Sequence, residues 1–256
     1  MVEYVKKFLK EHWHTLLFFG AIGLVGGFFV GLYALDSYPE EIKNTIYEQG
    51  INDTLLGIVT AVQSMLYGVI LGAVGIILGA KIGLYKGERH IERRPLTVAL
   101  GVALVGGLSM ILFDLLLFGR FSEAIMSSYD VKPSVDFILA SILYGGVIEE
   151  VMLRLFMLTL VAFILFKIFG KGEEKPSTVI LVSANVIASL LFAAGHLPTT
   201  SVILGLTPMI VFRSFLLNGG IGFMLGWLYH RWGLRYAMIA HAGCHVLSKL
   251  IWIIFI

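Results

Sequence analysis

The chain has 256 residues, of which 58% are hydrophobic and only 14% are charged, and its formal net charge is +2. Soluble domains carry about 25% charged and about 45–50% apolar residues, so this composition excludes an ordinary soluble enzyme and a disordered chain. It also excludes a nucleic-acid binder, which needs a strong basic surplus. A single cysteine, Cys244, excludes an intrachain disulfide. The composition therefore predicts an integral membrane protein.

We predict an all-α, polytopic membrane helix bundle of about eight transmembrane helices, since an open sheet in lipid leaves backbone groups unpaired. A crossing helix needs about 20 apolar residues. The segments, in chain order, are approximately 13–35, 54–85, 96–118, 137–169, 178–196, 201–217, 219–230 and 236–256. The sixth and seventh are short for a crossing, and the fourth is expected to break near Gly145-Gly146. Residues 1–12 are expected to form an interfacial helix.

Loop charges predict the orientation, because basic loops stay on the cytoplasmic side of a membrane. Basic residues precede the first segment and follow the second, whereas the loop at 36–53 is mostly acidic. We therefore expect a multi-pass protein with a cytoplasmic N-terminus. Eight crossings would place Arg231 and Arg235 outside, against this rule, so the number of crossings in the C-terminal half stays open.

The adjacent acids Glu149-Glu150 lie well inside the fourth hydrophobic segment. A charged side chain at mid-helix costs about 2.5–3.5 kcal/mol on insertion scales, so such residues are candidates for function. Arg154 follows Glu150 by four residues, which is the favourable order for an ion pair. Glu149 points about 100° away and lacks that counter-ion, which suits a general base or acid. The alternative is a polar clamp between helices, and Asp114 and Arg213 could form a second structural pair.

Histidines mark two later segments. Phe192 precedes His196 by four residues at the end of the fifth segment, where a histidine is often a merely satisfied interfacial residue. His241 and His245 share one face of the last segment, and Lys249 continues that face. Two histidines at this spacing can hold a metal or donate hydrogen bonds to a developing oxyanion. A polar seam between helices is the structural alternative.

Taken together, these motifs resemble those of the CAAX prenyl endopeptidase family, also called the CPBP or abortive-infection-like family. The family's E-E-x-x-x-R motif corresponds to residues 149–154, its F-x-x-x-H motif to 192–196, and its H-x-x-x-N motif to 241–245. The resemblance covers approximately residues 95–250, which we expect to be the protease-like core of a single membrane domain at 13–256. Each motif alone is weak, but all three in order on separate hydrophobic segments form a strong signal.

The resemblance implies a membrane-embedded glutamate-dependent peptidase. Glu149 and His196 would activate a water, and His241 with His245 would stabilise the oxyanion. Glu150, held by Arg154, would orient the site. The family implies no cofactor and no metal ligand, but His245 replaces its usual Asn, and this raises zinc as an alternative.

The implied partner is a lipidated or membrane-bound protein or peptide, delivered through contact with membrane lipids and not with nucleic acid. In the best-known family members it is a prenylated CAAX-type protein that loses its C-terminal tripeptide. Two alternatives stay open. An ion- or proton-coupled transporter also buries charges but should show internal repeats, and none is visible. A non-catalytic immunity or scaffold protein of the same fold would tolerate loss of Glu149.

Overall fold

The computed structural model describes residues 2–85, 87 and 90–256, without the side chains of residues 2–6 and Leu9. This part of the chain is helical and contains no strand, and seven helices are long and apolar enough to cross a membrane. They are α1 (Lys10–Ser37), α2 (Asp53–Lys81), α3 (Arg93–Arg120), α4 (Val135–Phe169), α5 (Thr178–Ile203), α6 (Pro208–Trp232) and α7 (Leu234–Phe255). Two short helices, Glu40–Glu48 and Glu123–Ser127, lie in the connections after α1 and α3. The predicted all-α membrane bundle is confirmed.

The predicted segments 201–217 and 219–230 do not form two crossings. Residues 201–203 belong to the end of α5, residues 204–207 connect α5 with α6, and residues 208–230 lie in the single helix α6. The residues around Gly219-Gly220 form a wider π-helical turn instead of a loop, so the chain keeps its direction there. The first short segment is thus divided between the end of α5 and the start of α6, and the second lies within α6, which has the length needed to cross.

Polar side chains fix the starts of four membrane helices. Each accepts a hydrogen bond from the backbone N–H three residues later, which satisfies a donor that has no partner within the helix. These caps are Asn52, Ser134, Ser177 and Thr207. Because the caps define where α4 and α5 begin, they also fix the positions along these helices of the acids and of His196.

Helix α4 does not break at Gly145-Gly146, contrary to the expectation. Ser141–Glu149 and Val151–Leu158 are π-helical, a conformation that occurs often at functional sites. A Cβ atom on Gly146 would lie 2.7 Å from the Cβ atom of Ala242 on α7. The glycine therefore allows close packing of two helices, as small residues do in membrane bundles, and is not a hinge.

A buried polar cluster connects α3 with α6. Arg213 donates to both carboxylate oxygens of Asp114 at 2.6 Å, and the Tyr129 hydroxyl donates to the same carboxylate at 2.9 Å. Burial and the adjacent Asp114 charge raise the pKa of Tyr129, so its hydroxyl stays protonated and able to donate. The pair suggested by the sequence is thus present, and both carboxylate oxygens of Asp114 have partners, which indicates a structural role.

Seven crossings place Arg231 and Arg235 at the same end of the bundle as the basic loop at 82–92. The Arg235 guanidinium donates a hydrogen bond of 3.3 Å to the carbonyl oxygen of Gly87, which shows that these segments share one side. The conflict with the loop-charge rule that arose with eight crossings is therefore removed.

The predicted interfacial segment 1–12 is not a separate helix. Val2–Ser37 is one continuous helix, so residues 2–12 are the beginning of the element that contains α1. Met1 lies outside the described residues, and so do Lys86, Glu88 and Arg89 of the basic loop. An interfacial position for the first residues stays a prediction.

We predict that the loops at 82–92 and 170–177 face the cytoplasm and that the loop at 38–52 faces the opposite side. Single cysteines replacing exposed Glu41 and Glu173 in a Cys244→Ala background test this. An impermeant maleimide added to intact cells should label Glu41→Cys only, and permeabilised cells should show both labelled. Labelling of Glu173→Cys in intact cells would reverse the predicted orientation.

Candidate active site

The three motifs come together in the bundle interior around the ring of Phe192. The Arg154 guanidinium lies 4.7 Å from the ring centroid, and the rings of His196 and His241 meet it edge-on at 4.6 and 5.9 Å. Phe192 thus contacts a residue from each motif. The sequence indicates Phe192 only as a motif position, and its spacing of four residues from His196 is the signal that the two side chains share a helix face.

Glu150 is fully buried and occupies the centre of the hydrogen-bond network. Its Oε1 atom accepts hydrogen bonds of 2.8 Å from Arg154 Nη1 and of 2.8 Å from His241 Nδ1. Arg154 also donates to the carbonyl oxygen of Gly222 on α6 at 2.9 Å. The predicted pair of Glu150 with Arg154 is present, and it additionally holds His241, with Nδ1 as the donor to the ionised carboxylate.

Glu149 lies next to this network but is not part of it. Its side chain is 19% exposed, whereas that of Glu150 is completely buried. The nearest charged partner is Nε2 of His241, 4.0 Å from Oε2 of Glu149, which is too far for a direct hydrogen bond. In the described part of the chain, no side chain engages this carboxylate directly, so it is free to bind a small polar molecule.

His245 stacks on His241, with ring centroids 4.9 Å apart and an angle of 28° between the ring planes. Among the described residues, only two buried side-chain nitrogen or oxygen atoms lack a hydrogen-bond partner, and these are Nδ1 of His245 and Oε2 of Glu150. Such atoms are rare because each costs about 1–3 kcal/mol. Their occurrence in one cluster indicates a site that binds a polar molecule.

His196 lies where α5 changes from Thr178–Gly195 to Leu197–Ile203. Its Nδ1 atom is 2.8 Å from the carbonyl oxygen of Phe192. A carbonyl only accepts, so Nδ1 is the donor and Nε2 of the neutral ring is an acceptor. No contact between His196 and Glu149 occurs among the described side chains, and Phe192 is the link between His196 and the other motifs.

The described residues contain no group of three or more His, Cys, Asp or Glu side chains arranged as metal ligands. The zinc alternative raised by His245 therefore has no preformed ligand set among them. Metal dependence stays a prediction for biochemical analysis.

Comparison with known proteins gives a match to one family model, over part of the chain. Residues 132–247 match the family model described as Type II CAAX prenyl endopeptidase Rce1-like. The match contains all three motifs, and it confirms the family resemblance predicted from them. Searches among curated proteins and among solved structures found no significant match.

Arg154 neutralises the buried Glu150 carboxylate, so we predict that Arg154→Met strongly destabilises the protein. Removing one partner of a buried pair leaves an uncompensated charge and costs about 3–5 kcal/mol. Thermal unfolding in detergent should show a clearly lower midpoint. Lys7→Met is the control, because its ion pair with Glu11 is 4.0 Å long and its side chain is 75% exposed. Equal midpoints for both variants would contradict the importance of the buried pair.

Proposed function

We propose, from the premise that residues 132–247 are Rce1-like, that this protein is an intramembrane glutamate-dependent endopeptidase. It would remove the C-terminal tripeptide of prenylated CAAX-type proteins. The observation that carries the proposal is the different engagement of two adjacent acids: Glu150 is held by Arg154 and His241, whereas Glu149 is unengaged and partly exposed. This division suits a glutamate-dependent hydrolase, in which one carboxylate can position the site while the other transfers a proton.

In this mechanism Glu149 and His196 bind the attacking water. Glu149 takes a proton from the water while the water oxygen forms a bond to the scissile carbonyl carbon. When the tetrahedral intermediate collapses, the C–N bond breaks and Glu149 passes the proton to the leaving nitrogen. Nε2 of His196 is an acceptor in the neutral ring, so it can hold the second water hydrogen and orient the attacking lone pair.

The two stacked histidines would stabilise the negative charge that develops on the carbonyl oxygen. With both carboxylates ionised, Glu149 and Glu150 would carry two negative charges against the single charge of Arg154. Protonation of His241 would balance them and would make its Nε2 a donor. Nδ1 of His245, which has no protein partner, would supply a second donor. Loss of one such donor typically reduces kcat by about 10²–10³.

Access to the site is favourable for a substrate that is anchored in lipid. Gly195 and Pro198, on either side of His196, are exposed, so this part of α5 lies at the surface of the bundle. A lipid chain in the bilayer would bring the attached peptide laterally to this position. The low dielectric of the interior would then strengthen the interactions of the charged groups with the reacting carbonyl.

The position of His245 depends on the absence of a side chain at Gly145. A Cβ atom there would lie 2.9 Å from Nε2 of His245, closer than carbon and nitrogen can pack. A side chain at position 145 would therefore force the His245 imidazole to shift from this position. This adjustment would let a histidine occupy the place where the family has Asn.

We predict that Gly145→Ala reduces peptidase activity about 10-fold or more, because a shift of about 1 Å in a positioning group can cost 10²-fold. Cleavage of a farnesylated C-terminal peptide measures the effect. Gly101→Ala is the matched control, since it also lies in a membrane helix but a Cβ atom there would meet nothing within 4 Å. Equal activities of the two variants would show that His245 needs no fixed position.

We predict that Glu149→Gln lowers the rate of cleavage by about 10²-fold or more and leaves the thermal midpoint near that of wild type. Glu150→Gln should lower both, because the fully buried Glu150 holds two partners. Glu173→Gln, in an exposed loop, is the control. The readouts are peptide cleavage and thermal unfolding in detergent.

The same experiment separates the alternatives. Wild-type activity in Glu149→Gln would refute the proposed mechanism, and wild-type protein that cleaves none of a panel of lipidated and plain peptides would indicate a non-catalytic protein of this fold. The assay includes a chelator, since we expect no metal. Stoichiometric zinc that is lost together with activity would instead establish a metalloenzyme.

A further inference from the structure

Lys249 is a buried basic side chain that the proposed mechanism leaves unused. The residue is 4% exposed, and its ammonium nitrogen lies 4.1 Å from the centroid of the Phe137 ring. Among the described residues, no carboxylate oxygen lies within 4.0 Å of it. A cation–π contact offsets only part of the cost of burying an ammonium group, so its counter-ion should come from a bound molecule.

The Phe137 ring holds the lysine away from solvent. Phe137 stacks on Tyr33 of α1 with centroids 4.2 Å apart, and Trp252 of α7 meets it edge-on at 6.2 Å. Lysines near helix ends usually extend their ammonium groups to the membrane surface, but Lys249 is turned onto this aromatic group. The side chain thus points along the interface between α4 and α7.

Lys249 completes a row of three basic side chains that face α4. His241 contacts Glu150, His245 lies at Gly145, and Lys249 lies over Phe137. At 1.5 Å per residue, Lys249 is about 6 Å further along the helix axis than His245 and about 12 Å further than His241. Because the three residues follow one another at intervals of four, the row continues along one face of α7 from the proposed site.

These spacings match the length of the peptide that the proposed reaction releases. Three extended residues span about 10 Å. If the scissile carbonyl lies between His241 and His245, the terminal carboxylate three residues later reaches the position of Lys249. A carboxylate is also the chemical group that an unpaired buried ammonium would bind most strongly.

We propose that Lys249 is a specificity-determining residue that binds the C-terminal carboxylate of the substrate. This inference rests on the proposed function and deepens it. By pairing with the chain terminus, Lys249 fixes the scissile bond at three residues from the end. The site would therefore select peptides with a free C-terminus of the correct length over internal segments of a polypeptide.

The test uses one farnesylated peptide prepared as the free acid, as the C-terminal amide, and with one added C-terminal residue. Purified wild type, Lys249→Met and Lys249→Arg are compared by kcat and KM for each peptide. Lys167→Met is the matched control, because Lys167 also lies over a phenylalanine ring, Phe163, but is exposed at the other end of α4.

Wild type and Lys167→Met should prefer the acid over the amide by about 10-fold or more in kcat/KM, as expected for a desolvated charge pair. Lys249→Met should lose this preference, mainly through a higher KM for the acid, and Lys249→Arg should keep part of it. Wild type should also cleave the extended peptide more slowly than the acid.

Equal cleavage of acid and amide by wild type would overturn the inference while leaving the peptidase proposal intact. An equal loss of kcat/KM on the acid and the amide in Lys249→Met would also overturn the inference, because a merely structural role of Lys249 gives that result. If Lys249→Met does not fold, the preference of wild type and of Lys249→Arg for the acid over the amide still tests the inference. A wild-type protein that cleaves no peptide would overturn the proposed function and this inference with it.

Discussion

The carboxylate of Glu150, fully buried within a hydrocarbon-spanning bundle, is the constraint on which the rest of the site depends. An isolated charge there is costly, so Arg154 and His241 are both held at 2.8 Å from one of its oxygens. Arg154 in turn binds the carbonyl oxygen of Gly222 and lies over Phe192. One carboxylate thereby fixes the relative positions of α4, α5, α6 and α7.

The same arrangement leaves a deficit of positive charge. Two adjacent acids share one guanidinium, and Glu149 has only Nε2 of His241 at 4.0 Å. Asp114 shows the opposite case, since Arg213 and Tyr129 satisfy both its oxygens. A buried acid with complete partners stabilises the structure, whereas an acid with incomplete partners keeps the capacity to bind and to exchange a proton. We infer that the second condition distinguishes a reactive site from a structural pair in this bundle.

The helical membrane fold and much of the site could be predicted from the sequence, because hydropathy and helical periodicity depend on local properties of the chain. Residue spacing alone predicted the pair of Glu150 with Arg154 and the shared face of His241 and His245. The crossing count in the C-terminal half could not be predicted, since a π-helical turn at Gly219 and a loop there look alike in sequence. The sequence raised the pairing of Asp114 with Arg213 only as a possibility and gave no indication of the contacts of Phe192 with Arg154 and His241, because both depend on how distant helices pack.

The proposed mechanism depends most on the role of Glu149, which delivers a water to the peptide carbonyl and does not attack the carbonyl carbon itself. A single turnover with excess enzyme in ¹⁸O-labelled water, followed by mass spectrometry of the product, tests this claim. We predict one ¹⁸O atom in the new C-terminal carboxylate of the lipidated fragment and an unmodified Glu149. An unlabelled product together with ¹⁸O in the Glu149 side chain would reveal a covalent anhydride intermediate and would contradict the account.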